Sequence, residues 1–172
     1  MADPPQPPTC QVGMPEGRES PERIVQLWLG RGRGLIPRMN LRVERAGPEG
    51  AMVRMPFNPE FCIDAEAMLL HGGVLTALLD SVFGLANFLA IRDVRSMATL
   101  DLRVDYLRPA QSRADILVHA TCYRQTRHIA FNTGRVWFDG DRDSEVARGT
   151  ASFALVRNEG GVDRKAEESP RT

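Results

Sequence analysis

The sequence predicts an α+β fold: a six-stranded antiparallel sheet wrapped around one long central helix, with a short helix ahead of it. Three observations carry this. Residues 71–91 form the most apolar run in the chain. Apolar side chains fall all round the implied helix, so it needs cover on most sides. Two segments of strand character precede it and four follow, divided by turn residues. A helix this apolar finds its cover inside the curve of such a sheet.

Residues 1–20 are rich in proline, glycine and charge and are expected to be disordered. Ser20-Pro21-Glu22 then opens a short helix with a capping serine, a proline at the first position and an early acid. Ile24, Val25, Leu27, Trp28 and Leu29 give it an apolar face, and Gly30 to Gly34 end it. The glycine–arginine alternation there is read as a flexible turn. Arg38 to Arg45 alternates and predicts a strand. Gly47-Pro48-Glu49-Gly50 predicts a turn, and Ala51 to Phe57 the returning strand of a hairpin. Residues 58–70 read as an irregular approach to the helix.

Beyond the exit turn at Asp93 to Arg95, Met97–Leu107 predicts a strand. Strict alternation puts Leu100, Leu102, Val104 and Tyr106 on one face and Thr99, Asp101, Arg103 and Asp105 on the other. Ala114–Arg124, Ile129–Phe138 and Glu145–Val156 follow, with Asp139-Gly140-Asp141 a strong hairpin signal. Residues 158–172 are charged and expected to be disordered. The folded unit is thus one domain over residues 21–157.

Acidic and basic residues balance at 22 each. A zero net charge argues against a broad electrostatic footprint for nucleic acid or anionic membrane. The apolar run is long enough to span a bilayer, but a mid-segment Asp is costly there and flanking aromatic anchors are missing. Cys10, Cys62 and Cys122 are odd in number and widely spaced, which suits a reducing, cytoplasmic setting over a disulfide framework or zinc site. Cys122 falls on a strand pattern and reads as packing.

The helix carries its own site signal. Taking Asp80 as zero, Gly73, Thr76, Gly84 and Asn87 all lie within about 40° of it at the 3.6-residue period. One narrow stripe is therefore small or polar. Gly72 and Gly73 stand at the helix start, where amides lack intrahelical partners and carry the positive end of the dipole. A carboxylate and an oxyanion-stabilising amide on one helix are parts that acyl transfer needs. No Gly-x-Ser-x-Gly elbow is present, and His71 stands too far from Asp80 for a serine-hydrolase relay.

His71-Gly72-Gly73-Val74 followed by Leu78-Leu79-Asp80-Ser81 resembles the His-Gly-Gly…Leu-x-Asp signature of hotdog-fold acyl-CoA thioesterases of the phenylacetate-pathway type. Met97 to Ala110, ending Tyr-Leu-Arg-Pro-Ala, resembles that family's next strand, and Arg148 to Phe153 its last. The resemblance spans about residues 38–156. It implies a hotdog fold and a homodimer with a continuous sheet, often paired again into a tetramer. It implies active sites at the dimer interface, an acyl-CoA substrate, and no cofactor or metal. Asp80 matches the catalytic carboxylate, acting as general base or nucleophile. Gly72 matches the oxyanion amide, with Gly73 beside it. His71 matches a histidine that holds the thioester region, though a helix-capping role reads equally from its position. Thr99 matches a hydroxyl position across the site. The family's usual Asn, six residues before the His-Gly-Gly, is replaced here by Ala65. Asn58, thirteen residues before His71, is the only asparagine nearby, and either it or another group takes that place. Arg108, Arg124, Arg127 and His128 form basic turn-flanking positions able to meet coenzyme A phosphates, against the plainer reading of solvated hairpin tips. The rival function is a non-catalytic hotdog protein that binds acyl-CoA or a related ligand.

Overall fold

The computed structural model describes residues 20–30 and 34–157. The expected disorder at residues 1–19 and 158–172, and the arginines of the glycine–arginine turn, lie outside them.

Helix α1 (Pro21–Leu29) starts as its sequence dictates. The Arg23 amide donates to the Ser20 hydroxyl at 3.3 Å, Pro21 fills the first turn, and Ile24 and Trp28 are buried. A second short helix, α2 (Leu35–Met39), takes Arg38 and Met39, which the alternation assigned to the first strand. Asn40 ends it in the left-handed region at φ 49°, a conformation asparagine tolerates. Met39 is thereby tucked into the core at 1% exposure. Strand β1 (Arg42–Gly47) begins only after this turn and pairs with β2 (Gly50–Met55). Ala51, Val53 and Met55 are fully buried.

The approach segment is ordered, contrary to its irregular reading. Asn58 caps a single 3₁₀ turn at Pro59–Phe61 through its Oδ1, which accepts from the Glu60 amide at 2.9 Å. Strands β3 (Cys62–Asp64) and β4 (Leu69–Leu70) then form a small ribbon. The Asp64 carboxylate accepts from the Glu66 and Ala67 amides and closes the turn between them. This ribbon delivers the chain to helix α3 (Gly72–Ala90).

Strands β5 (Val94–Tyr106), β6 (Ile116–Gln125), β7 (Ile129–Phe138) and β8 (Glu145–Arg157) complete a six-stranded antiparallel sheet. Its order is β1-β2-β6-β7-β8-β5, so β5 is an edge strand. The sheet takes up the apolar surface of α3: Leu75, Leu78, Leu79, Val82, Phe83, Leu85 and Ala86 are all buried. This is the hotdog arrangement that the resemblance implies. Helix and sheet approach so closely at one place that no side chain fits. A Cβ on Gly134 would lie 2.8 Å from the Phe83 ring.

Strand β5 departs from simple alternation. Thr99 pairs with Phe153 and Asp101 with the very next residue of β8, Ser152. Leu100 is therefore the extra residue of a β-bulge, and it is 59% exposed rather than on the apolar face assigned to it. A bulge shifts side-chain parity by one. Met97 and Thr99 consequently share a face with Leu102, Val104 and Tyr106, and Met97, Leu102 and Val104 pack on the core.

Asn87 and Asn132 are the fully buried polar residues among those described. The Asn132 Nδ2 donates to Asn87 Oδ1 at 2.9 Å. The helix stripe thus ends in an internal pair. Cys122, half-buried on β6, has its thiol pushed up by burial, in keeping with a packing role.

Candidate active site

The polar stripe of α3 faces β5, and three of its residues find partners there. At the helix start, the Tyr106 hydroxyl donates to the Gly72 carbonyl at 3.0 Å and lies 2.6 Å from the Thr76 Oγ1. In the middle, the Thr99 hydroxyl donates to Asp80 Oδ1 at 2.7 Å. Near the end, Asn87 Nδ2 contacts the Met97 sulfur at 3.8 Å. The parity shift at Leu100 is what lets Thr99 and Tyr106 both reach the helix.

Asp80 is half-buried, not enclosed as its apolar neighbours suggested, and Thr99 is exposed. Among the described residues, Thr99 is the side-chain donor to this carboxylate, at Oδ1. A hydroxyl donor on one oxygen fixes the carboxylate rotamer without neutralising it.

Gly72 and His71 form the helix entry. The Gly73 amide donates to His71 Nδ1 at 2.9 Å, so His71 is the N-cap of α3. A neutral imidazole accepting at Nδ1 carries its proton at Nε2. The Gly72 amide has no protein partner among the described residues and stands at the positive end of the helix. Gly73 is thus consumed by the cap, while Gly72 is left to offer its N–H.

The remaining expected residues are dispersed. Asn58 spends its side-chain oxygen on the 3₁₀ turn and makes no hydrogen bond to Asp80, Thr99 or His71. Its segment still reaches the helix start, since the His71 amide donates to the Phe61 carbonyl at 2.9 Å. Arg108 is engaged elsewhere: it bonds Asp141 at 2.9 Å and the Ser144 carbonyl at 2.8 Å, and lies over the Phe138 ring. Arg124, Arg127 and His128 are exposed around the β6–β7 turn. Arg157 pins that turn through the Thr126 and Arg127 carbonyls and ties it to Arg92 at the exit of α3. Among the described residues, no group of three or more His, Cys, Asp and Glu side chains is placed to hold a metal ion.

Tyr106 and Thr76 are the site neighbours that sequence reasoning did not assign. Tyr106 lay in the motif, but uninterrupted alternation put it on the face opposite Thr99. Thr76, one of the residues of the polar helix stripe, bonds Tyr106 within one protomer.

Comparison with known proteins bears on family and fold. The thioesterase superfamily model matches residues 69–145, from β4 to the start of β8. A protein of Halobacterium salinarum with a provisional esterase name is 29% identical over 133 residues, covering 73% of this chain and 87% of its own. A solved structure from Pseudomonas aeruginosa is 30% identical, with a TM-score of 0.68 over 77% of this chain and 97% of that one. A thioesterase family protein from Silicibacter pomeroyi shares the fold, with a TM-score of 0.70 at 20% identity over 81% of this chain and 100% of its own.

Proposed function

The chain belongs to the thioesterase superfamily, and from that premise we propose that it hydrolyses an acyl-CoA thioester to the free acid and coenzyme A. Asp80 activates water as general base or attacks the thioester carbon directly. The Gly72 amide receives the developing oxyanion. The observation that carries this reading is the 2.7 Å Thr99–Asp80 hydrogen bond on the helix whose first amide is unpartnered.

Distance decides how such a site is assembled. Asp80 lies eight positions after Gly72, about 12 Å along an α-helix. A reacting thioester needs its nucleophile within about 3–3.5 Å and its oxyanion donor within about 3 Å. One protomer does not bring both to one carbonyl. We therefore propose a homodimer in which Asp80 works with the partner's Gly72. The unpaired edge of β5 supports this, with Leu100, Tyr106 and Leu107 more than half exposed along or beside it. The exposed Arg124, Arg127 and His128 are the groups we assign to the phosphates of coenzyme A. Arg108, held by Asp141, is the weakest member of that set.

Asn58 favours the rival reading. With Ala65 at the family's usual asparagine position and Asn58 occupied as a cap, a site that binds acyl-CoA without turnover is the alternative. The deciding experiment measures thiol release from a panel of aliphatic and aromatic acyl-CoAs by wild type and Asp80→Asn. Turnover lost in a folded, dimeric variant supports hydrolysis. Acyl-CoA binding with no turnover by wild type supports the alternative.

A further inference from the structure

We infer that Tyr106 is a positioning residue that, with Thr76, clamps the Gly72–Gly73 peptide and thereby sets both donors at the entry of α3. The inference rests on the proposed hydrolysis for its catalytic consequence, while its structural content stands apart.

Two consecutive glycines are the least restrained way to begin a helix, because neither has a side chain to limit φ and ψ. A donor amide in such a turn would wander unless something else held it. Here Tyr106 does so twice over. Its ring lies over Gly72, so that a Cβ on that glycine would come within 3.2 Å of the ring edge. Its hydroxyl donates to the Gly72 carbonyl at 3.0 Å. Thr76 completes the clamp, 2.6 Å from the Tyr106 hydroxyl and 3.4 Å from the same carbonyl.

The consequence runs through one peptide bond. The Gly72 carbonyl and the Gly73 N–H belong to the same amide. Donation to the oxygen polarises the group and strengthens the N–H as a donor. That N–H is the one held by His71 Nδ1 at 2.9 Å. A fixed Nδ1 acceptor leaves the imidazole proton on Nε2. The clamp therefore steadies the peptide that directly follows the Gly72 N–H and, through the His71 cap, keeps the imidazole proton on Nε2. Tyr106 touches neither water nor thioester in this scheme, and acts through Gly72 and His71.

The test uses full-length protein and three variants: Tyr106→Phe, Thr76→Val and Thr76→Ser. Tyr106→Phe keeps the ring over Gly72 and removes only the hydroxyl. The expected result is a fall in kcat of about tenfold, in the range of one lost hydrogen bond with slight misplacement of a donor. KM and melting temperature should hold, and Thr76→Ser should restore what Thr76→Val loses. The second readout is the His71 tautomer, from long-range proton–nitrogen NMR at a pH where the ring is neutral. Wild type should show Nε2–H alone and Tyr106→Phe a mixture. Unchanged kcat together with an unchanged tautomer in Tyr106→Phe would overturn the inference. If wild type turns over no acyl-CoA, the proposed function fails, and the NMR readout still decides the clamp.

Discussion

Thr99 and Tyr106 stand seven residues apart on one strand, yet both reach the same face of α3, Thr99 to Asp80 and Tyr106 to Gly72. In a regular strand an odd spacing sends two side chains to opposite faces. The bulge at Leu100 cancels the difference. The spacing of Gly72 and Asp80 on the helix is thus matched by a strand whose register has been advanced by one residue.

The Asp80–Thr99 pair gives the first prediction. Asp80→Asn keeps the size of the side chain and removes the base. Turnover should fall by about 10²–10⁴, the range of a positioned acid–base group, with an unchanged melting temperature. Thr99→Val should lower kcat by about tenfold, the scale of a hydrogen bond to a charged group, and Thr99→Ser should recover most of it. Steady-state kinetics on the best acyl-CoA would check both.

Leu100 offers a test of assembly. It projects from the edge strand and is 59% exposed in the protomer. An Asp there places a charge where we propose a second copy to pair, and edge charges oppose strand pairing. Leu100→Asp should elute as a monomer and lose turnover, because Asp80 is then separated from the partner's Gly72. A monomeric variant with full activity would refute the shared site.

Gly134 tests the closeness of helix and sheet. A Cβ there lies 2.8 Å from Phe83 and 3.1 Å from Leu79. Both are ring or branched groups in a filled core, so they have little room to yield. Gly134→Ala should cost about 1–3 kcal/mol, seen as a lower denaturant midpoint with an unchanged slope.

The buried asparagines test pairing against burial. Asn132→Leu leaves Asn87 without its 2.9 Å partner and should cost about 1–3 kcal/mol. The double change Asn87→Leu with Asn132→Leu removes both polar groups and should be milder than the sum of the singles. Urea unfolding of the three variants closes the cycle.

His119 predicts a pH dependence remote from the site. Burial first, then Arg45, Arg135 and Arg142, hold its pKa below 6.5. The unfolded chain therefore takes up this proton first as pH falls, and folding stability declines below about pH 6.5 until the folded group titrates. Above that pH the group is neutral in both states and contributes no slope. In His119→Gln that contribution is absent, so the stability of wild type relative to the variant should shrink between pH 7.5 and 5.5.

Much of this protein is written in its sequence. The apolar run sets α3, since a helix greasy on nearly all sides has to be wrapped. Ser20-Pro21 sets α1, and period-two patterning with Asp139-Gly140 sets the long strands. Asp80, Gly72 and Thr99 are legible as candidates because the polar stripe picks out the first, the helix start the second and the strand motif the third. Other features depend on contacts between distant parts. The bulge at Leu100 arises from pairing with β8, which local alternation does not register. The ribbon ahead of α3 is closed by Asp64 and Asn58 accepting backbone amides, and the burial of Met39 turns a predicted strand start into α2. Tyr106 belongs to this second group. Its place over Gly72 follows from a one-residue shift in a strand pairing more than forty residues long in sequence separation, and only the folded sheet decides such a shift.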